Sequence, residues 1–215
     1  MARWGMVIDL KRCIGCYSCM VACKQKHFLP PKIFWNRVLI SETGQYPWVI
    51  NFMYPVLCNH CNEPICVKVC PTGASTKRED GIVDIDYGKC VGCRYCVIAC
   101  PYQQRQFYSG KETYSFSQGF TELELIGKEL FPLQQGTVVK CTFCKEVIDE
   151  GIFKGLKPGL DYEATPACVN ACPVKARLFG DLDDPDSIVS GLIRGRKGFP
   201  LHSELGTEPS VYYID

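Results

Sequence analysis

Residues 90–101 read CVGCRYCVIACP, a stretch with four cysteines in twelve positions and a proline behind the last one. The gaps between Cys90, Cys93, Cys96 and Cys100 are two, two and three residues. This spacing, C-x2-C-x2-C-x3-C-P, is the ligand spacing of a [4Fe–4S] cluster in bacterial proteins. The stretch therefore predicts an iron–sulfur site, in which the loop cysteines hold one cluster and the last cysteine reaches a second one.

All 16 cysteines of the chain fall into four groups of four, with none left over. Groups one and three share the same spacing, group two has one gap widened to four, and group four is split by a long insertion. In chain order the groups are Cys13, Cys16, Cys19, Cys23; Cys58, Cys61, Cys66, Cys70; Cys90, Cys93, Cys96, Cys100; and Cys141, Cys144, Cys168, Cys172. A proline follows the last cysteine of every group except the first, where Lys24 stands. Proline suits the first turn of a helix, because its fixed φ is helical and its missing N–H is not needed there. Four groups predict four [4Fe–4S] clusters, with iron as the metal.

Two other uses of cysteine need weighing. Zinc sites take pairs of C-x2-C separated by a dozen or more residues, and only group four resembles that pattern when taken alone. Disulfides staple small secreted domains, whereas this chain of 215 residues is long enough to build a core. Four clustered sets of disulfides would also be unusual. Both alternatives are weaker than four iron–sulfur clusters.

Composition excludes several functional classes. The net charge is +1, which gives no reason to expect a nucleic-acid partner. No segment approaches the roughly 20 apolar residues that cross a bilayer, and the first residues, MARWGMVIDLKRC, do not form a signal peptide. We therefore expect no membrane span in this chain. Its compartment is expected to be the cytoplasm, or the periplasm by co-export with a partner, with membrane association through that partner.

The chain contains an internal repeat. Residues 6–23 match residues 82–100, and residues 64–74 match residues 166–176, in cysteines, prolines and neighbouring side chains. Short strands are predicted at 6–10 and 82–86, each followed by a cysteine loop and a short helix. The expected fold is α+β, with two ferredoxin-like units of two [4Fe–4S] clusters each and with loop and strand insertions.

Spacing suggests how the groups pair. Only residues 71–89 separate groups two and three, about the separation within a compact two-cluster ferredoxin. A central unit is thus predicted at 58–101, a second unit at 1–57 plus 102–185, and a tail at 186–215 that packs on a partner. With exchange of the last cysteines, the four ligand sets are Cys13, Cys16, Cys19, Cys172 (set 1); Cys23, Cys141, Cys144, Cys168 (set 2); Cys58, Cys61, Cys66, Cys100 (set 3); and Cys70, Cys90, Cys93, Cys96 (set 4).

Other side chains near the motifs have predicted roles. Oxidised clusters with four thiolates each carry about −2, so basic residues beside them can compensate charge. These are Lys11, Arg12, Lys24, Lys68, Lys89, Arg94, Lys140, Lys145 and Lys175. His60 lies between two cysteines of a complete quartet, which favours a supporting or surface position over ligation. His27 and His202 carry no prediction, and no acid, base or nucleophile is expected to be catalytic.

The motif order, the split last group, LCNHC (57–61), CVKVCPTGA (66–74) and RLFGDLDDPDS (177–187) resemble a known family. It is the iron–sulfur (beta) subunit of the dimethyl sulfoxide reductase superfamily of molybdenum/tungsten bis-pterin oxidoreductases, which act on substrates such as polysulfide, thiosulfate, arsenate, nitrate and formate. The resemblance implies an electron-transfer subunit of an anaerobic respiratory complex. Its partners would be a large bis-pterin catalytic subunit and a membrane anchor subunit or cytochrome. It also implies the same pairing, group one with four and two with three.

The competing class is a free-standing polyferredoxin or a hydrogenase-type electron-transfer subunit. A stable complex with a larger pterin-containing chain would distinguish the first interpretation from this one.

Overall fold

The computed structural model describes residues 2–115 and 119–215. Within them the chain forms short strands and helices in a mixed α+β arrangement, as the sequence predicts. The strands are β1 (Trp4–Asp9), β2 (Asn36–Gln45), β3 (Trp48–Leu57), β4 (Ser75–Lys77), β5 (Val83–Ile85), β6 (Gln106–Tyr108), β7 (Thr137–Val139), β8 (Arg177–Asp181) and β9 (Val211–Ile214). The helices are α1 (Ser18–Lys26), α2 (Ile65–Lys68), α3 (Tyr95–Ile98), α4 (Glu122–Leu130), α5 (Lys145–Phe153), α6 (Ala167–Asn170) and α7 (Ile188–Gly195).

A three-stranded sheet of order β8-β1-β9 forms the centre of the fold. Strand β1 pairs antiparallel with β8, where Met6 lies opposite Phe179, and parallel with β9, where Met6 lies opposite Val211. Every residue of β1 is buried, because both faces of the sheet are covered. The strand predicted at 6–10 corresponds to β1, and the strand predicted at 82–86 corresponds to β5, which pairs with β4.

The C-terminal segment belongs to this sheet. Residues 186–215, for which the sequence predicts a tail that packs on a partner, supply α7 and β9 to the chain's own fold. Tyr213 of β9 is fully buried, and its hydroxyl donates a hydrogen bond to the Pro55 carbonyl at 2.9 Å. Val189 of α7 packs with Val7 and Ile214 on the outer face of the sheet. The buried apolar side chains of this segment therefore belong to the protein's own core.

Strands β2 and β3, of ten residues each, form an antiparallel hairpin that projects from the body of the protein. Its base is buried at Asn36 and Leu57, whereas its outer half is exposed on both faces. Tyr46 and Trp48 at the tip are 93 % and 83 % exposed. The hairpin is therefore anchored at one end and projects into solvent at the other.

One hydrophobic core joins the parts of the chain predicted as two units. It contains Trp35 and Phe179 from the outer segments together with Ile82 from the central one. On the surface, the guanidinium of Arg78 donates two hydrogen bonds, of 2.6 and 2.8 Å, to the carboxylate of Asp149 in α5. Among the described residues, the helices are too short or too polar to span a bilayer.

Candidate functional site

The cysteine loops of groups one and three share one backbone conformation. Gly15 and Gly92 both have φ of 66°, and the residues two positions later, Tyr17 and Arg94, have φ of 59° and 65°. This left-handed region is open to glycine and unfavourable for most other residues, so each loop turns sharply before its helix begins. The third cysteine of each group then lies in the first turn of that helix, in α1 and α3.

Groups two and four also have matching positions in the fold. Their third cysteines, Cys66 and Cys168, lie on the four-residue helices α2 and α6, and a proline precedes each helix. Their last cysteines, Cys70 and Cys172, follow these helices after one intervening residue. The two leading cysteines of group four lie between β7 and α5, and Cys144 is the residue before α5 with φ of 55°.

Cysteines from groups one and four converge in the interior. Burial raises the pKa of Cys23 well above its usual range, and the charges of Cys141, Cys168 and Cys144 raise it further. All four thiols are buried. Burial and mutual repulsion both disfavour the thiolate form of these four side chains. All four can be deprotonated together only if a cationic centre lies between them.

The other sulfurs fall into similar neighbourhoods. Burial raises the pKa of Cys13, and the charges of Cys19 and Cys172 add to this. Burial, with the charges of Cys58, Cys66 and Cys100, raises the pKa of Cys61 to about 12. Burial raises the pKa of Cys96, with smaller contributions from Cys90 and Cys70. Cys16 and Cys93 are the exposed members of groups one and three.

Two electrostatic interactions link neighbouring groups of sulfurs. The charge of Cys19 lies close enough to Cys168 to raise the pKa of that thiol, after burial. The charge of Cys58 likewise raises the pKa of Cys141, again after burial. Cys16 and Cys93 are exposed, whereas Cys141, Cys144 and Cys168 are buried.

Several backbone N–H groups point at the sulfurs. Ser75 donates to Cys70 at 3.4 Å, Ala176 to Cys172 at 3.2 Å, and Phe143 to Cys141 at 3.4 Å. All sixteen cysteines lie among the described residues and are free thiols. Converging free thiols that accept N–H donors match the ligand chemistry of [4Fe–4S] clusters, whose potentials depend on such hydrogen bonds.

Three buried polar side chains at the sulfurs were not predicted from the sequence. The Nε2 of His27 lies 3.3 Å from the sulfur of Cys144, and the guanidinium of Arg105 donates to Cys66 at 3.0 Å. Arg177 is buried, and its charge interacts with Cys168. A pattern in the sequence could have revealed the arginines, since each lies five residues after the last cysteine of its motif, Cys100 or Cys172.

His60 is fully buried and stacks on Phe143 with ring centroids 3.8 Å apart. Its Nδ1 accepts a hydrogen bond from the Val83 N–H at 3.1 Å. Burial lowers its pKa well below the usual range, with help from the charges of Lys140 and Arg105. A neutral, packed imidazole is the supporting position favoured by the sequence, and the surface position is excluded.

Comparisons with known proteins agree with this chemistry. Residues 49–132 match the family model for a 4Fe-4S dicluster domain, and residues 4–25 match a 4Fe-4S binding domain. A putative dimethyl sulfoxide reductase iron–sulfur subunit from Halobacterium salinarum is 42% identical, over 100% of this chain and 80% of the relative. A selenate reductase subunit from Mesobacillus selenatarsenatis is 39% identical, over 99% of this chain and 72% of the relative. The iron–sulfur subunit of an arsenate respiratory reductase from a Shewanella species is 36% identical, over 99% of this chain and 96% of the relative.

These relatives match essentially the whole chain at well above 30% identity, and they are subunits of reductase complexes. The matching domains bind [4Fe–4S] clusters, so the zinc and disulfide alternatives fall away. The free-standing polyferredoxin is likewise not the class that the matches support. The chain therefore belongs to the family of [4Fe–4S] iron–sulfur electron-transfer subunits of the dimethyl sulfoxide reductase superfamily.

Proposed function

We propose that this subunit relays electrons through four [4Fe–4S] clusters that are held by sixteen cysteines in a single row. Each cluster, when bound, takes up and gives up one electron with little change in geometry. The chain's own residues hold the clusters and tune their surroundings. The proposed ligand sets are Cys13, Cys16, Cys19, Cys172 (set 1); Cys23, Cys141, Cys144, Cys168 (set 2); Cys58, Cys61, Cys66, Cys100 (set 3); and Cys70, Cys90, Cys93, Cys96 (set 4).

The interactions among the sulfurs are the single observation that carries this assignment. The thiols with the largest effect on the pKa of Cys23 are Cys141, Cys168 and Cys144, all from group four. Cys61 interacts in the same way with Cys100 from group three. Last cysteines that face another group's thiols support the exchange pattern for both pairs.

The contacts between sets support a linear order 1–2–3–4. The charge of Cys19 in set 1 raises the pKa of Cys168 in set 2. The charge of Cys58 in set 3 raises the pKa of Cys141 in set 2. Arg105 donates a hydrogen bond to Cys66 of set 3, and its charge lowers the pKa of Cys96 of set 4, against the effect of burial. Exposed cysteines in sets 1 and 4 suit the two ends of the row, where electrons enter and leave.

We also propose two ferredoxin-like units, 58–101 and 1–57 plus 102–185, because the repeated loops share backbone angles. The catalytic partner of the complex would be a molybdenum/tungsten bis-pterin subunit at one end of the row. A membrane anchor subunit or cytochrome would take the other end. The compartment would follow the partner, in the cytoplasm or by co-export in the periplasm.

The hairpin β2–β3 is the proposed contact surface for one of these subunits. Residues 38–55 contain one charged residue, Glu42, and the side chains of Trp48, Ile50 and Phe52 share one exposed face. Phe52 also lines an open cleft with Cys13 of set 1. A partner on this face would therefore lie beside the first end of the row.

Replacement of Cys100 by alanine tests the exchange pattern. Under the proposal, Cys100→Ala removes a ligand of set 3, so its electron paramagnetic resonance (EPR) spectrum should lose the same signal as Cys61→Ala. Cys93→Ala, which removes a ligand of set 4, serves as the matched control. If Cys100→Ala instead loses the signal that is missing in Cys93→Ala, the ligand sets are wrong. The wild-type holoprotein should contain about sixteen irons per chain, four for each cluster.

A further inference from the structure

Three buried cations lie along the row of cysteines. Arg177 is 3 % exposed, Lys140 2 % and Arg105 3 %. Within the described part of the chain, none of them forms a salt bridge with a carboxylate. Because a buried charge without a counter-charge is costly, the sulfurs around these cations are their natural partners.

Arg177 stands between sets 1 and 2. Its positive charge interacts with Cys168 of set 2 and with Cys19 of set 1. The amide oxygen of Asn36 accepts from Arg177 at 2.8 Å, and the sulfur of Met6 lies 3.7 Å away. These neutral contacts fix the side chain and leave its positive charge to the thiolates.

Arg105 stands in the equivalent place between sets 3 and 4. One nitrogen donates to Cys66 of set 3 at 3.0 Å, and the positive charge also lowers the pKa of Cys96 of set 4, against the effect of burial. The other terminal nitrogen donates to the Ser75 hydroxyl at 2.8 Å. Both arginines follow the last cysteine of a motif by five residues, so the duplicated pattern brings one guanidinium into each pair.

Lys140 stands between the two pairs. Its ammonium donates to the carbonyl of Cys141 at 2.7 Å and to the carbonyl of Val83. Its charge lowers the pKa of Cys141 in set 2 and of Cys66 in set 3, against the effect of burial. Asp84, which also interacts with this charge, is held directly by Lys145.

We propose that Arg177, Lys140 and Arg105 form an interleaved row of fixed positive charges, one at each of the three steps between neighbouring clusters. Each cation raises the reduction potentials of the two clusters whose ligands it faces, because a nearby positive charge favours the more negative, reduced form. It also weakens the repulsion between an electron on one cluster and an electron on the next. The proposal rests on the ligand sets of the proposed function.

The test is a redox titration of the cluster-loaded protein, followed by EPR, for Arg177→Gln, Lys140→Gln and Arg105→Gln. Each variant should lower two of the four midpoint potentials, by about tenfold in the reduction equilibrium or 59 mV per one-electron couple. The pairs lowered by Arg177→Gln and Arg105→Gln should share no member. Lys140→Gln should lower one midpoint from each pair. Lys154→Gln, at an exposed lysine just after α5 that pairs with Glu150, should lower none.

Charge-preserving variants separate electrostatics from packing. Arg177→Lys, Arg105→Lys and Lys140→Arg should keep four clusters with midpoints closer to those of the wild type than the glutamine variants. If a glutamine variant loses clusters, retention in the charge-preserving variant supports the proposal and loss in both overturns it. Unchanged midpoints, or equal shifts of all four, also overturn it. A wild-type protein with fewer than four clusters would instead refute the proposed function.

Discussion

At the scale of single residues, hydrogen-bond donors lie beside several of the cysteine sulfurs. His27 packs between the rings of Trp35 and Phe131, with centroids 4.7 and 4.8 Å away. Burial lowers its pKa to about 4, so the ring is neutral above that pH. Its Nε2 faces the sulfur of Cys144, and because a thiolate at that position can only accept a hydrogen bond, it pairs with a protonated Nε2.

Replacement of His27 by phenylalanine should therefore remove one N–H donor to sulfur while keeping an aromatic ring in the site. We expect the midpoint of one cluster to fall, with iron content unchanged, because a hydrogen bond to sulfur stabilises the reduced cluster. The measurement is an EPR-monitored redox titration. His202→Phe is the control, since His202 is exposed and pairs with Glu204. An unchanged set of midpoints in His27→Phe would contradict the expectation.

The sequence predicts the thiols at this scale but not their polar neighbours. Cysteine spacing is local, so groups such as Cys90 to Cys100 can be recognised in one pass along the chain. His27 meets Cys144 across 117 residues, and Arg105 meets Cys66 across 39. Such contacts depend on the tertiary fold. The two arginines at least repeat, five residues after Cys100 and Cys172, whereas a lone histidine carries no spacing that could reveal its contact.

At the scale of elements, the loop before α3 depends on Gly92. This residue has φ of 66°, and an added Cβ would collide with the carbonyl oxygen of Gly136. Gly73 has nearly the same φ, 65°, and no atom near an added Cβ. An alanine at Gly92 would therefore suffer both backbone strain and a steric collision, whereas an alanine at Gly73 would suffer backbone strain alone.

We expect Gly92→Ala to lose one cluster, because the loop must move and three cysteines move with it. Gly73→Ala should keep all four clusters and lose about 1 kcal/mol of stability from the left-handed conformation alone. Iron analysis and the EPR spectrum of the reduced proteins measure both outcomes. Equal iron content in the two variants would refute the steric account.

Helix α4 begins with a capping box. The Thr121 hydroxyl accepts from the Glu124 N–H, and the Glu124 carboxylate accepts from the Thr121 N–H. Thr121→Ala should destabilise α4 by about 1 kcal/mol. Hydrogen exchange of the α4 amides measures this loss. Ser187→Ala is the control, because Ser187 precedes α7 without capping it through its side chain, and equal effects in the two variants would contradict the expectation.

Element predictions from the sequence succeed where a strand adjoins a motif. The repeat identifies β1 and β5, since each precedes a cysteine loop of known spacing. It does not identify β9, because VYYI (211–214) is a short apolar run whose parallel partner β1 lies about 200 residues earlier. Long-range parallel pairing leaves no local pattern to read.

At the scale of the whole molecule, the projecting hairpin provides a test of assembly. Trp48 and Ile50 share one face of β3, whereas Val49 lies on the opposite face. Trp48→Glu with Ile50→Glu should reduce co-purification of a partner subunit, since charge in an apolar contact is costly to desolvate. Iron content should stay unchanged, because these side chains are exposed. Val49→Glu is the matched control, and equal loss in both variants would contradict a one-faced contact.

The distribution of exposed cysteines also has a consequence for durability. Cys16 and Cys93 are open to solvent, whereas Cys23, Cys141, Cys144 and Cys168 are all buried. Oxygen or a chelator should therefore strip iron first from sets 1 and 4 and last from set 2, which timed iron release with EPR would follow. Bound subunits would shield the vulnerable ends. In the isolated chain, the clusters at the two ends of the row should therefore be lost before the clusters in its interior. In the assembled complex, the partner subunits should slow this loss.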